Sequence, residues 1–104
     1  MSVATIEGRD VHVDAEGFLT VPDEWDESLG ETLASRIGIA LTDGHWRAIR
    51  FARSDFATTG ETPTLRRMAS VGGVPTKEMF TLFPGKPAKK MAYVAGLPKP
   101  VGCV

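Results

Sequence analysis

Val3-Ala4-Thr5-Ile6-Glu7-Gly8-Arg9-Asp10-Val11-His12-Val13 sets two short apolar, β-branched runs on either side of four turn-forming residues. That pattern reads as a β-hairpin, with Gly8 supplying any backbone angle that a side chain would resist. A second turn at Glu16-Gly17 leads into Phe18-Leu19-Thr20, so the expected unit is a three-stranded antiparallel meander. His12 alternates outward between Val11 and Val13 and reads as a surface strand residue.

Beyond the strands the period changes to that of helices. Pro22-Asp23 opens the first, with Asp23 as N-cap and acids in the first turn, where the helix dipole favours them. Trp25, Leu29, Leu33 and Ile37 recur at i+4 as one apolar stripe, and Gly38 ends it. Thr42 or Asp43 caps a second helix running to about Ala57. Trp46, Ile49, Ala52 and Phe56 form its buried side, while Arg47, Arg50 and Arg53 form a basic stripe that is either a solvated face or a binding surface. His45, in its first turn, reads as a buried or capping residue rather than a catalytic one. Short helices follow at Leu65–Met68, from Pro75-Thr76 to Phe83 beyond a Gly72-Gly73 turn, and from Ala88 to Val94. The expected fold is α+β: a small N-terminal meander packed on about five helices, with a helix-turn-helix-like portion and an extended C-terminal arm.

The arm is Leu97-Pro98-Lys99-Pro100-Val101-Gly102-Cys103-Val104, and Cys103 is the only cysteine in the chain. A lone thiol beside a glycine and behind two prolines is badly placed for core packing. Pro98 and Pro100 bias Leu97 and Lys99 toward extended backbone, making a semi-stiff spacer. Seven steps separate Gly96 from Cys103, a reach of roughly 23 Å. Gly102 lets another backbone approach the sulfur closely. The carboxylate after Val104 disfavours a thiolate and Lys99 favours it, and at an ordinary thiol pKa of about 8.5 little thiolate is present at neutral pH. Such a cysteine is a modest nucleophile that needs activation in a partner's site, which argues for a carrier.

AGLPKPVGCV at the end of the chain, preceded by LFPGKPAKK (82–90), resembles the C-terminus of the DsrC/TusE family of sulfur carriers, related to the gamma subunit of dissimilatory sulfite reductase. Glu16-Gly17-Phe18-Leu19, Trp25, Leu41-Thr42 to His45-Trp46, Arg50-Phe51, and Thr62-Pro63 with Arg66 also look like family positions. The branch acting with sulfite reductase has a second arm cysteine where this chain has Ala92, so no disulfide or trisulfide between two arm cysteines can form. The chain therefore resembles the single-cysteine TusE branch. The resemblance implies that Cys103 takes a persulfide sulfur from an upstream donor complex and passes it to an acceptor enzyme, a tRNA thiolase making 2-thiouridine. It also implies that Arg66 stabilises an anionic sulfur when the arm folds back; a plain surface arginine is the alternative. Lys99 could do the same from within the arm.

At 104 residues and 42% hydrophobic composition the chain reads as one domain, 1–104, with 96–104 as its arm. No apolar run approaches a membrane span, and no secretory signal opens it. One cysteine excludes a disulfide framework and a multi-cysteine zinc site, and His12 and His45 lack metal-ligand spacing, so no cofactor or metal is expected. A free thiol fits a reducing cytoplasm.

The net charge of −1 is unevenly distributed. Residues 1–45 carry ten acids against Arg9 and Arg36, a net of −8, and residues 46–104 carry a net of +7. This suggests a partner with an acidic surface or one holding RNA, unless the halves interleave in space. Two other readings stand beside the carrier. One is a helix-turn-helix-like nucleic-acid-binding regulator with Thr76 and Lys77 near the start of its recognition helix; the other is a structural subunit for which Cys103 is dispensable. The quick return to apolar residues after Lys77 and the penultimate thiol count against the regulator.

Overall fold

A computed structural model of the chain describes residues 2–100. Strands β1 (Ser2–Ile6) and β2 (Arg9–Val13) form an antiparallel hairpin in register from Ser2 opposite Val13 to Ile6 opposite Arg9. Its two-residue turn has positive φ at both Glu7 (51°) and Gly8 (75°), the twist that suits a tight hairpin. The expected third strand is reduced to a single bridge between Val13 and Leu19. Phe18 and Leu19 are both buried and belong to different apolar clusters, so this segment has no alternation of inner and outer faces to sustain a strand.

Five helices follow: α1 (Glu27–Arg36), α2 (Asp43–Thr59), α3 (Leu65–Ser70), α4 (Thr76–Leu82) and α5 (Pro87–Val94). The first begins later than its sequence suggests. Pro22–Glu24 is a single 3-10 turn, Trp25 is extended, and Asp26 rather than Asp23 is the N-cap, accepting from the Leu29 amide at 2.9 Å. Trp25 leaves the helical path because its indole N–H donates to the Val94 carbonyl on α5 at 2.9 Å. Gly30 makes room for it: a Cβ there would lie 2.7 Å from the ring. Asp26 is also gripped by both terminal nitrogens of Arg9, each at 2.8 Å, which ties α1 to the hairpin.

Thr42 caps α2, and His45 completes the cap as expected of it. Its Nδ1 accepts from the Thr42 amide at 3.1 Å, which leaves Nε2–H to donate to the Leu82 carbonyl at 2.7 Å. One apolar cluster, including Ile6, Val11, Leu19, Leu29 and Leu33, fills the space between hairpin and α1. The larger one, including Ile49, Met68, Met79, Phe83 and Met91, joins α2 to α5. Trp25 and Tyr93 pack against both. The pair α3–α4 turns at Gly73 (φ 70°), with the Val74 amide closing onto Met68 O at 2.9 Å. Among the described residues no helix is long and apolar enough to cross a membrane.

Candidate functional site at the root of the arm

Cys103 and Gly102 lie outside the described residues. The chain that leads to them is described as far as Pro100. A helix ends with carbonyls that have no intrahelical partner. At the end of α5 these carbonyls are satisfied one by one. Ala92 O accepts from the Leu97 amide at 3.0 Å and Tyr93 O from the Gly96 amide at 3.4 Å. Val94 O accepts from Trp25, and Ala95 O from Arg53 Nη1 at 2.7 Å. Arg53 also donates to Pro22 O at 3.0 Å and stacks its guanidinium 4.2 Å from the centre of the Trp25 ring. A cation at a helix C-terminus is further favoured by the dipole. Burial pulls the Arg53 pKa down from the usual arginine value without threatening its charge.

Gly96 reverses the chain at φ 69°, and a Cβ there would come within 2.2 Å of the Trp25 ring. Leu97 is buried in the helical core. The Thr62 hydroxyl donates to Pro98 O at 2.7 Å, Lys99 pairs with the Glu16 carboxylate, and Pro100 is buried. The arm therefore does not start its reach at Gly96. Its first five residues are laid against the body, and three steps remain from Pro100 to Cys103, a span of about 10 Å instead of roughly 23 Å.

Glu16 is presented by a turn that Asp14 organises, its Oδ1 accepting from the amides of Glu16 and Phe18 at 2.8 and 3.0 Å. Lys89 adds a second contact to Glu16 at 3.1 Å. Hydrogen bonds from Lys99 and then Lys89 hold the Glu16 carboxyl below the usual range.

The two other residues singled out for the sulfur site fare differently. Lys99 is engaged as just described. Arg66 is exposed on α3 and makes no hydrogen bond or ion pair among the described residues. Its neighbour Arg67 is the structured one. It binds Asp55 through Nε at 2.7 Å and Nη2 at 2.8 Å, and Asp55 is nearly inaccessible on α2. The Arg67 guanidinium keeps the Asp55 carboxyl below its ordinary range against the opposing effect of burial. Asp55, Thr62 and Arg67 line a cavity of about 180 Å³, and Thr62 is the residue that holds Pro98. An acid on the buried side of α2, three positions after Ala52, was the sequence signal for this pair.

The arginine stripe on α2 is a set of ties. Arg47 pairs with Glu78 at 2.7 Å, Arg50 with Glu27 at 3.4 Å, and Arg53 holds the arm root. Contacts of Glu27 and Glu16 with cations from the second half of the chain show that the acidic and basic halves interleave. Among the described residues no three His, Cys, Asp or Glu side chains gather as a metal site. His12 faces Glu24 at 2.8 Å.

A hairpin laid on five helices, with the chain held against them as far as Pro100, defines a small α+β domain whose one cysteine follows a fixed root. The chain matches the family described as "DsrC like protein" over residues 5–104 and belongs to it. Curated relatives named "Sulfurtransferase TusE" include those of Pectobacterium atrosepticum, 37% identical over 94% of this chain and 96% of the relative, and Yersinia pestis, 36% identical with the same coverage. The fold is similar to the solution structure of Allochromatium vinosum DsrC, with TM-score 0.79 and 30% identity over 98% of this chain and 97% of that one. It is also similar to the oxidized gamma-subunit of dissimilatory sulfite reductase from Archaeoglobus fulgidus, with TM-score 0.76 and 34% identity over 99% of this chain and all of that one.

Proposed function

We propose that this protein is a sulfur-relay carrier that takes a persulfide sulfur onto Cys103 and hands it on toward tRNA 2-thiouridine synthesis. The observation that carries this reading is a single thiol placed three residues past a chain pinned down to Pro100. Loading is attack by the Cys103 thiolate on the outer sulfur of a donor persulfide. A new S–S bond forms on Cys103, the donor's S–S bond breaks, and the donor leaves as a thiolate with no net oxidation. Discharge repeats the step, with an acceptor thiolate attacking the carried sulfur.

In this reading Gly102 keeps the approach to the sulfur open and Lys99 fixes the start of the reach. Arg66, exposed and unengaged among the described residues, is the cation that meets the persulfide anion or a partner's acid. The donor complex upstream and the tRNA thiolase downstream are the partners, and a reducing cytoplasm is the setting that keeps the thiol free. Ala92, fully buried on α5, stands where a two-cysteine arm has its second thiol, which argues against a DsrC-like part in sulfite reduction.

The test is a reconstituted relay with radiolabelled cysteine, a cysteine desulfurase and tRNA, run with the parent protein, Cys103→Ser and Arg66→Ala. Label in 2-thiouridine that needs Cys103 and falls several-fold with Arg66→Ala supports the assignment. Equal labelling with Cys103→Ser contradicts it.

A further inference from the structure

Beside the Glu16–Lys99 contact lies a pocket of about 320 Å³ lined by Glu16, Phe18, Ile37, Lys89, Lys90 and Tyr93. We propose that this pocket docks an acidic segment of a partner protein carrying one apolar side chain. The inference rests on the carrier reading only in making that partner a sulfur donor or acceptor.

The floor is apolar and rigid. Phe18 meets Tyr93 edge-on at 6.0 Å between ring centres, and the Asp14 turn fixes the approach of Phe18. The volume is at the lower end of the range for small-molecule sites, about 300–1,000 Å³, and suits a side chain better than a large cofactor. The rim is cationic. Glu16 is paired with both Lys89 and Lys99, and Lys90 lines the same pocket with no carboxylate partner among the described residues, which leaves positive charge over. Lys89 and Lys90 stand in the first turn of α5, where the helix dipole disfavours cations. The dipole does not account for their placement, which adds their charge to the positive helix end in the field an incoming anion meets.

A carboxylate beside an apolar side chain satisfies rim and floor together. A nucleic acid fits less well: a phosphate chain needs a long row of cations, whereas this rim offers three lysines, two of them already paired with Glu16. The location suits a relay, because Glu16 both lines the pocket and holds the arm through Lys99. A partner seated here meets the residue that holds Lys99.

The test is amide NMR on the full chain, titrated with a short acidic peptide containing a central phenylalanine, the same peptide with alanine there, and a short single-stranded RNA. The expected result is saturable shifts confined to Glu16–Phe18, Ile37 and Lys89–Tyr93, lost with the alanine peptide and absent with RNA. Lys90→Glu should weaken binding about tenfold while Lys90→Arg keeps it. Absence of saturable shifts, shifts centred on another surface such as exposed Phe80, or equal binding of RNA would overturn the proposal. Cys103→Ser should bind the peptide unchanged, so failure of this site and failure of the carrier reading are separately visible.

Discussion

The Thr62 hydroxyl donates a 2.7 Å hydrogen bond to the carbonyl of Pro98, across 36 positions of sequence, and so fixes Pro98 against the body. Thr62→Val keeps the shape and removes the donor. The expected cost is about 1 kcal/mol of stability. The sharper consequence is local: the Leu97 amide, which donates to Ala92 O, should exchange hydrogen faster while amides within α2 stay protected. Unchanged exchange at Leu97 would mean that Thr62 does not hold the arm.

Gly96 combines a left-handed backbone with a Cβ position 2.2 Å from the Trp25 ring. Gly96→Ala must strain the turn and displace the indole that caps Val94. Together these should cost about 2–4 kcal/mol, read as a lowered Tm and a shift in tryptophan fluorescence. Gly38→Ala, also at positive φ but in open space, should cost about 1 kcal/mol with no fluorescence change, which separates backbone strain from the clash.

Acid should destabilise the fold through carboxylates held below their ordinary range, Asp26 and Asp55 among them. Asp26, beside Arg9 and the Leu29 amide, is held down to about 2, and Asp55 is held below the ordinary range by Arg67. Both bind a proton less readily folded than unfolded. Their contribution is therefore complete above the unfolded pKa near about 4 and is lost as pH falls through the folded values. The Tm of the parent should drop steeply between about pH 4 and pH 2. Asp55→Asn should lower the neutral-pH stability by about 2 kcal/mol and flatten that drop.

Much of the architecture was legible because it rests on local chemistry. The β-branched runs around Gly8, the Thr42 cap and the Gly72-Gly73 turn each carry their own signal, and the structure follows them. The misread places are those where a distant partner decides. Asp23 reads as the cap from sequence, yet Trp25 reaches for Val94 across 69 positions and the helix starts after Asp26. Phe18-Leu19-Thr20 looked like a strand, but its two apolar residues serve two different cores. The terminal stretch looked extended from Gly96 because two prolines forbid a helix. Nothing local announced that Arg53, Thr62 and Glu16 would hold it. Likewise Arg66 and Arg67 are adjacent in sequence, and only the buried position of Asp55 distinguishes the one that pairs.

Intact-protein mass after incubation with a persulfide donor asks whether Cys103 carries sulfur. The parent chain should gain one sulfur, removed by reductant and absent in Cys103→Ser. A parent protein that gains no sulfur from any donor, or a Cys103→Ser protein that gains it equally, would mean that Cys103 is not the carrier.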